Sequence, residues 1–163
     1  MNALYALAWA PFSFLLHNVI HEGAHALVAV ATGGKVLSFW PFPSKKIGRF
    51  TWAHVVVDGV PAKGAALMYM APLIAETLWV IGATVGFVLL SGPERWICLV
   101  EMISSNVDMG NWLSKLFLKS ADPNSDALQV KKIWGDDRNL MRLVGVFLML
   151  IIAQVGILLK VFA

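Results

Sequence analysis

Apolar residues in this chain come in long runs, not in narrow amphipathic stripes. Four runs stand out, at about residues 4–31, 65–90, 96–118 and 140–162. At 1.5 Å rise per residue, each is long enough to cross a hydrocarbon core of about 30 Å. The pattern predicts an all-α polytopic membrane protein with about four transmembrane helices. The third run is broken by Glu101, Asp108, Asn111 and Lys115. Between the first and second runs the texture changes. Residues 36–40 and 50–57 are rich in β-branched and aromatic types, separated by Pro41 and Pro43 and closed by the turn signal Asp58-Gly59. A small membrane-associated β-hairpin or sheet is expected there, with its aromatics at the interface. Its open edge cannot face lipid and must meet protein, water or a bound peptide. Gly33-Gly34 should stop the first helix. The polar connection 119–138 holds one short amphipathic stretch, 127–134, with Ser125 or Asp126 as its cap. The chain divides as a single domain: the first helix over 1–32, the β region over 35–63, spans over 65–91 and 95–118, a loop with a short helix over 119–138, and a last span over 139–163.

Composition agrees with burial in lipid. Hydrophobic residues make up 58% of the 163, charged residues 14%, and the mean hydropathy is +0.71. Soluble domains carry about 25% charge, so an integral membrane protein is expected. The single cysteine, Cys98, excludes an intrachain disulfide. Residues 1–16 contain no Lys or Arg, so the basic segment of a cleaved leader is missing and the first helix is expected to be retained. The net charge of +3 is small and sits in loops. It bears on anionic headgroups and orientation, not on nucleic acid. Five Lys and Arg fall within 35–63 and six within 115–142. The positive-inside rule then places the N-terminus outside and both basic loops in the cytoplasm.

Within the first run stands His21-Glu22-Gly23-Ala24-His25. Residues four apart share a helix face, so two imidazoles can grip one metal ion while the Glu between them acts as base toward water. Three polar residues without a task would penalise a membrane helix, since a buried charge costs about 2.5–3.5 kcal/mol even on lenient scales. The pattern therefore reads as a site for one Zn2+ held by His21 and His25, with Glu22 catalytic. A catalytic zinc needs a third protein ligand and an open position. His17 shares the face, but eight residues from His25 is about 12 Å along the axis, which suits packing or a wet lining better than ligation. Asp108 and Asp126 are the two candidates. Asp108 lies on a polar stripe with Glu101, Ser104, Asn111 and Lys115, and could equally pair with Lys115. Asp126 could equally be an ordinary helix cap. Glu76 either lines a substrate path or pairs with a base. His54 reads as a sheet residue and not as a ligand.

The chain resembles the site-2 protease family of intramembrane zinc metalloproteases. The likeness is carried by His21-Glu22-Gly23-Ala24-His25-Ala26-Leu27, Thr32-Gly33-Gly34-Lys35-Val36, Met70-Ala71-Pro72-Leu73, Asn111-Trp112-Leu113 and Pro123-Asn124-Ser125-Asp126-Ala127. It extends to about Trp134. The resemblance implies Asp126 as third ligand, with Asp108 as the alternative, and Asn111 as the group that orients the substrate carbonyl or stabilises its oxyanion. The interval from Asn111 to Asp126 is longer than the family's compact motif, and Ala127 stands where that motif has Gly. The alternative Asn106-Val107-Asp108-Met109-Gly110 is too tight and lacks the Pro. The implied activity is hydrolysis of peptide bonds in membrane-spanning or membrane-proximal substrates. The alternatives are an inactive adaptor or chaperone that keeps the metal site, and a small ion- or proton-conducting protein using Glu76, Glu101 and Asp108.

Overall fold

In the computed structural model, which describes residues 2–46, 49–118, 124–135 and 137–162, the first apolar run folds as α1 (Asn2–Ala31). It ends where Gly33 turns the chain at φ 92°. The Gly33 N–H donates to the Val30 carbonyl and the Gly34 N–H to that of Ala29, closing two of the helix's open carbonyls. The β region follows as β1 (Lys35–Trp40), β2 (Ser44–Lys46), β3 (Arg49–Thr51) and β4 (His54–Asp58). β1 pairs antiparallel with β4, from Lys35 opposite Asp58 to Trp40 opposite His54, with a bulge between Val36 and Ser38. β2 and β3 form a second antiparallel pair. Asp58-Gly59 is not a hairpin turn. It ends β4 and leads into α2 (Ala62–Leu89).

Helices α1, α2 and α3 (Glu94–Ser114) pack on one another, and α4 (Asp126–Trp134) lies against α2. α1 and α2 approach closely because Gly64 has no side chain: a Cβ there would lie 2.7 Å from Thr32. The apolar core is built from Leu73, Val80 and Phe87 of α2, Met102, Met109 and Trp112 of α3, and Ala127 and Val130 of α4. Ala127 and Val130 are fully buried. A buried Val contributes about 1.5–3 kcal/mol, so this short helix is seated by its apolar face and carries Asp126 with it. α5 (Asp137–Phe162) leaves Val146, Leu148, Met149 and Ile152 exposed and is tied in by a polar clamp. In that clamp Asn106 Nδ2 donates to Gln154 Oε1 at 2.6 Å, and Gln154 Nε2 to Thr84 Oγ1 at 3.2 Å.

The expectation of about four transmembrane helices is corrected here. Among the described residues, two helices are long and apolar enough to cross a membrane, Ala62–Leu89 and Arg138–Val161. α1 and α3 have the length, but His17, His21, Glu22 and His25 on one, and Glu94, Glu101 and Asp108 on the other, lower their hydropathy. The orientation deduced from four crossings loses its basis with them. Pro123, counted in the motif around Asp126, and Asp136, at the loop's end, lie outside the described residues.

The polar groups of the helices are matched against each other. His17, Glu76 and Glu101 are all buried. His17 Nδ1 stands 2.7 and 2.9 Å from the two carboxylate oxygens of Glu76. Its Nε2 stands 3.2 Å from Glu101 Oε2, an ionic contact without hydrogen-bond geometry. Glu101 also accepts from the indole N–H groups of Trp9 and, at 2.8 Å, of Trp79. Glu76 is thus paired with His17, not with the Lys or Arg that the sequence allowed. Removing one member of a buried ion pair costs about 3–5 kcal/mol because the other charge is stranded. His17→Ala is expected to lose that much in equilibrium unfolding; a loss below about 1 kcal/mol, the worth of an exposed pair, would deny the cluster its role in joining α1, α2 and α3.

Candidate metal centre

The imidazoles of His21 and His25 sit one turn apart on α1, ring centroids 5.3 Å apart and tilted by 70°. Asp126, on the first turn of α4, comes to both. Its Oδ2 lies 3.4 Å from His21 Nε2 and 3.1 Å from His25 Nε2. One donor atom from each of the three lies within 4.8 Å of the others. Two ligands held at about 2.0–2.1 Å by one tetrahedral ion are about 3.3–3.4 Å apart, so the His–Asp separations are those of ligands around a shared zinc-sized ion.

The far nitrogens of the rings decide the chemistry of the near ones. His25 Nδ1 is 2.8 Å from the backbone carbonyl of Met68, which can only accept, so this nitrogen carries the proton. His21 Nδ1 is 3.2 Å from Asp108 Oδ2 and donates there. When neutral, each ring therefore turns a bare Nε2 toward a carboxylate oxygen. Lone pairs facing at these distances repel unless a cation lies between them, either a proton or a metal ion. With protons on the imidazoles, burial opposes ionisation of Asp126, but hydrogen bonds and charge from His21 and His25 outweigh it. They hold its carboxyl well below the usual carboxylate range. With a metal ion instead, two imidazole nitrogens and one carboxylate oxygen make a donor set suited to zinc, with a fourth position open. The backing of each Nδ1 by an acceptor is the arrangement that orients ligating histidines.

Asp108 and Asp126 thus take different places. Asp108 sits behind His21, at the nitrogen that diverges from the cluster, and cannot share an ion with both Nε2 atoms. Asp126 was also a candidate helix cap, but its carboxylate faces the imidazoles. Ser125 occupies the cap position and its hydroxyl makes no cap hydrogen bond. His17 stays with Glu76 and Glu101.

Glu22 is half-buried and its carboxylate accepts from the Val55 backbone N–H of β4. It separates two cavities. One, of about 570 Å³, opens between α1 and α3 under residues 51–53, with Phe14, Trp52, Ile103 and Val107 as apolar walls and His21, Asp108 and Asn111 among its polar ones. The other, of about 400 Å³, runs along β4 past His25, Tyr69, Asn124 and Asp126. Asn111 therefore borders the same cavity as His21 and Glu22. The sequence reading assigned no role at the site to three further groups. His54 lines the β4 cavity and its Nδ1 is buried with no hydrogen-bond partner. Asn124 lines it too, and the Met68 carbonyl holds His25. A backbone acceptor leaves no residue-type signal. His54 was visible in the sequence, but nothing local tied it to α1.

The centre is expected to bind one zinc per chain, counted by atomic absorption on purified protein. Alanine at His21, His25 or Asp126 should abolish binding. Asp108→Asn should retain it about 10–100-fold weaker, the usual cost of losing an outer partner. The reverse ranking of the two aspartates would exchange their roles. Affinity should fall as pH drops, since protons compete for the same lone pairs. Protein-family models, curated proteins and solved structures were all compared with this chain, and none matches it.

Proposed function

We propose that the chain is a zinc-dependent peptidase acting on polypeptide segments in or beside a membrane, in the manner of the site-2 protease family it resembles. The observation that carries this reading is the convergence of the Nε2 atoms of two oriented imidazoles on one carboxylate oxygen, with a third acidic group, Glu22, beside them and bound to none of the three. His21, His25 and Asp126 would hold the ion. A bound zinc supplies Lewis acidity, lowering the pKa of water and polarising a carbonyl.

The protein's own groups do the rest. Glu22 takes a proton from the attacking water and delivers it to the departing amine nitrogen. Asn111, on the wall of the α1–α3 cavity, donates to the scissile carbonyl oxygen as charge builds on it. A helical substrate must open its own hydrogen bonds before its carbonyl can be reached. β4 pairs with β1 along one edge, and a cavity runs beside it, where an extended segment would add as a strand. Two helices long and apolar enough to cross a membrane support a membrane-associated substrate. An ion or proton path would rest on Glu76, Glu101 and Asp108, but Glu76 and Glu101 are engaged by His17, Trp9 and Trp79, and Asp108 by His21.

With a fluorogenic apolar peptide in detergent micelles, Glu22→Gln is expected to keep its zinc and lose about 10²–10⁴-fold in kcat. Zinc bound by the wild type with no turnover of any such peptide, and no difference on mutation, would move the reading to an adaptor that keeps its metal. Val57→Pro removes an edge donor two residues from Val55, on the same side of the strand. It should lower kcat/KM at unchanged zinc content; unchanged cleavage would remove the strand-addition step.

A further inference from the structure

The carbonyl that fixes His25 belongs to a transmembrane-length helix, where every backbone acceptor should already be taken. In an α-helix the carbonyl of residue i−4 accepts from the N–H of residue i. Met68 is four residues before Pro72, and proline has no N–H. The Met68 oxygen is therefore the one acceptor in this turn that the helix cannot close with its usual bond. It is also the oxygen to which His25 Nδ1–H donates, at 2.8 Å. Pro72 is itself fully buried and Met68 is 6% exposed, so the ring is the protein donor at hand for this carbonyl. An orphaned carbonyl in such a site carries a penalty that only a protein donor can relieve.

We infer that Pro72 is a positioning residue for the metal centre: it releases the Met68 carbonyl from α2 so that His25 must carry its proton on Nδ1 and present a bare Nε2 to Asp126. Pro72 touches neither ion nor substrate. It acts through one backbone oxygen on the tautomer and ring orientation of one ligand. Gly64, one turn before Met68, completes the device by letting α2 come close enough to α1 for the contact to form. The inference rests on the metal-centre reading but is independent of whether the site cuts peptides.

The device makes opposite predictions for stability and for metal binding. Pro72→Ala restores an N–H aimed at Met68, which competes with His25 for the carbonyl. Removing a proline from a helix interior is normally stabilising, so the melting temperature should rise while zinc affinity falls about 10–100-fold, the range for loss of an outer partner. A residue with only a packing role would lose both together. Pro11→Ala, in α1 and ten residues from His21, serves as the control and should leave zinc affinity unchanged.

The wild-type protein offers a test that does not depend on the variant folding. Nitrogen-15 NMR of the imidazole rings in the full chain, prepared without zinc and at a pH where the rings are neutral, should show His25 protonated at Nδ1. After loading with cadmium-113, coupling should run to Nε2. Protonation of His25 at Nε2, cadmium coupling to Nδ1, or full zinc affinity in Pro72→Ala would each overturn the inference. Absence of zinc from the wild type would instead remove the metal-centre reading, and absence of peptide cleavage would touch the proposed reaction alone.

Discussion

Polar side chains inside an apolar bundle must be matched by other groups of the same bundle, and one face of α1 is organised around that requirement. Ser13, His17, His21 and His25 follow each other at intervals of four residues and so form a single row. Each meets a partner outside α1. Ser13 Oγ donates to Ser104 of α3 at 3.1 Å. His17 lies between Glu76 of α2 and Glu101 of α3. His21 lies between Asp108 of α3 and Asp126 of α4. His25 spans the Met68 carbonyl of α2 and Asp126. The row joins four helices through one, and its chemistry changes along its length.

At the His17 end both ring nitrogens face carboxylates, one by hydrogen bond and one by an ionic contact. The imidazole is held between two carboxylates, and tryptophan N–H groups take up the remaining acceptors of Glu101. Such a cluster resists movement and leaves no position for a ligand. At the His21–His25 end two nitrogens and an oxygen converge on one point that a proton or a metal ion can fill, and Glu22 stands beside them on the wall of two cavities. The difference does not lie in residue type, since both ends use histidine and carboxylate. It lies in which nitrogen of each ring is engaged by an acceptor from behind. Asp126 belongs to a helix of nine residues that has little stability of its own. Its place is set by the burial of Ala127 and Val130 against α2 and α3, so the third donor depends on apolar packing some distance from the polar row.

The same row explains why the count of spans came out too high. Continuous apolar runs were legible at all four places, and helices form there, with α3 ending at Ser114, before the run closes at 118. Most of the residues that lower the hydropathy of α1 and α3, His17, His21, His25, Glu101 and Asp108, are the ones that face inward as partners. Run length alone does not distinguish a lipid-facing helix from one whose polar stripe is folded against a neighbour. The β region was legible from its β-branched and aromatic residues, but its division into two ladders, with β1 paired to β4 across the inner pair, was not.

What the chain determines locally is the pair of histidines. His21 and His25 share a face because a helix repeats every 3.6 residues, and Glu22 stands beside them by adjacency alone; no distant contact is needed for either. The end of α1 at Gly33 is local for the same reason, since only a residue free to adopt positive φ closes the helix that way. The third donor, the tautomer of each ring and the separation of Asp108 from Asp126 are tertiary outcomes. They depend on which nitrogen meets which acceptor across 43 to 105 residues of sequence. Covalent spacing fixes direction only within a helix; between helices, direction follows from how closely the backbones pack and from which carbonyl a proline has left open.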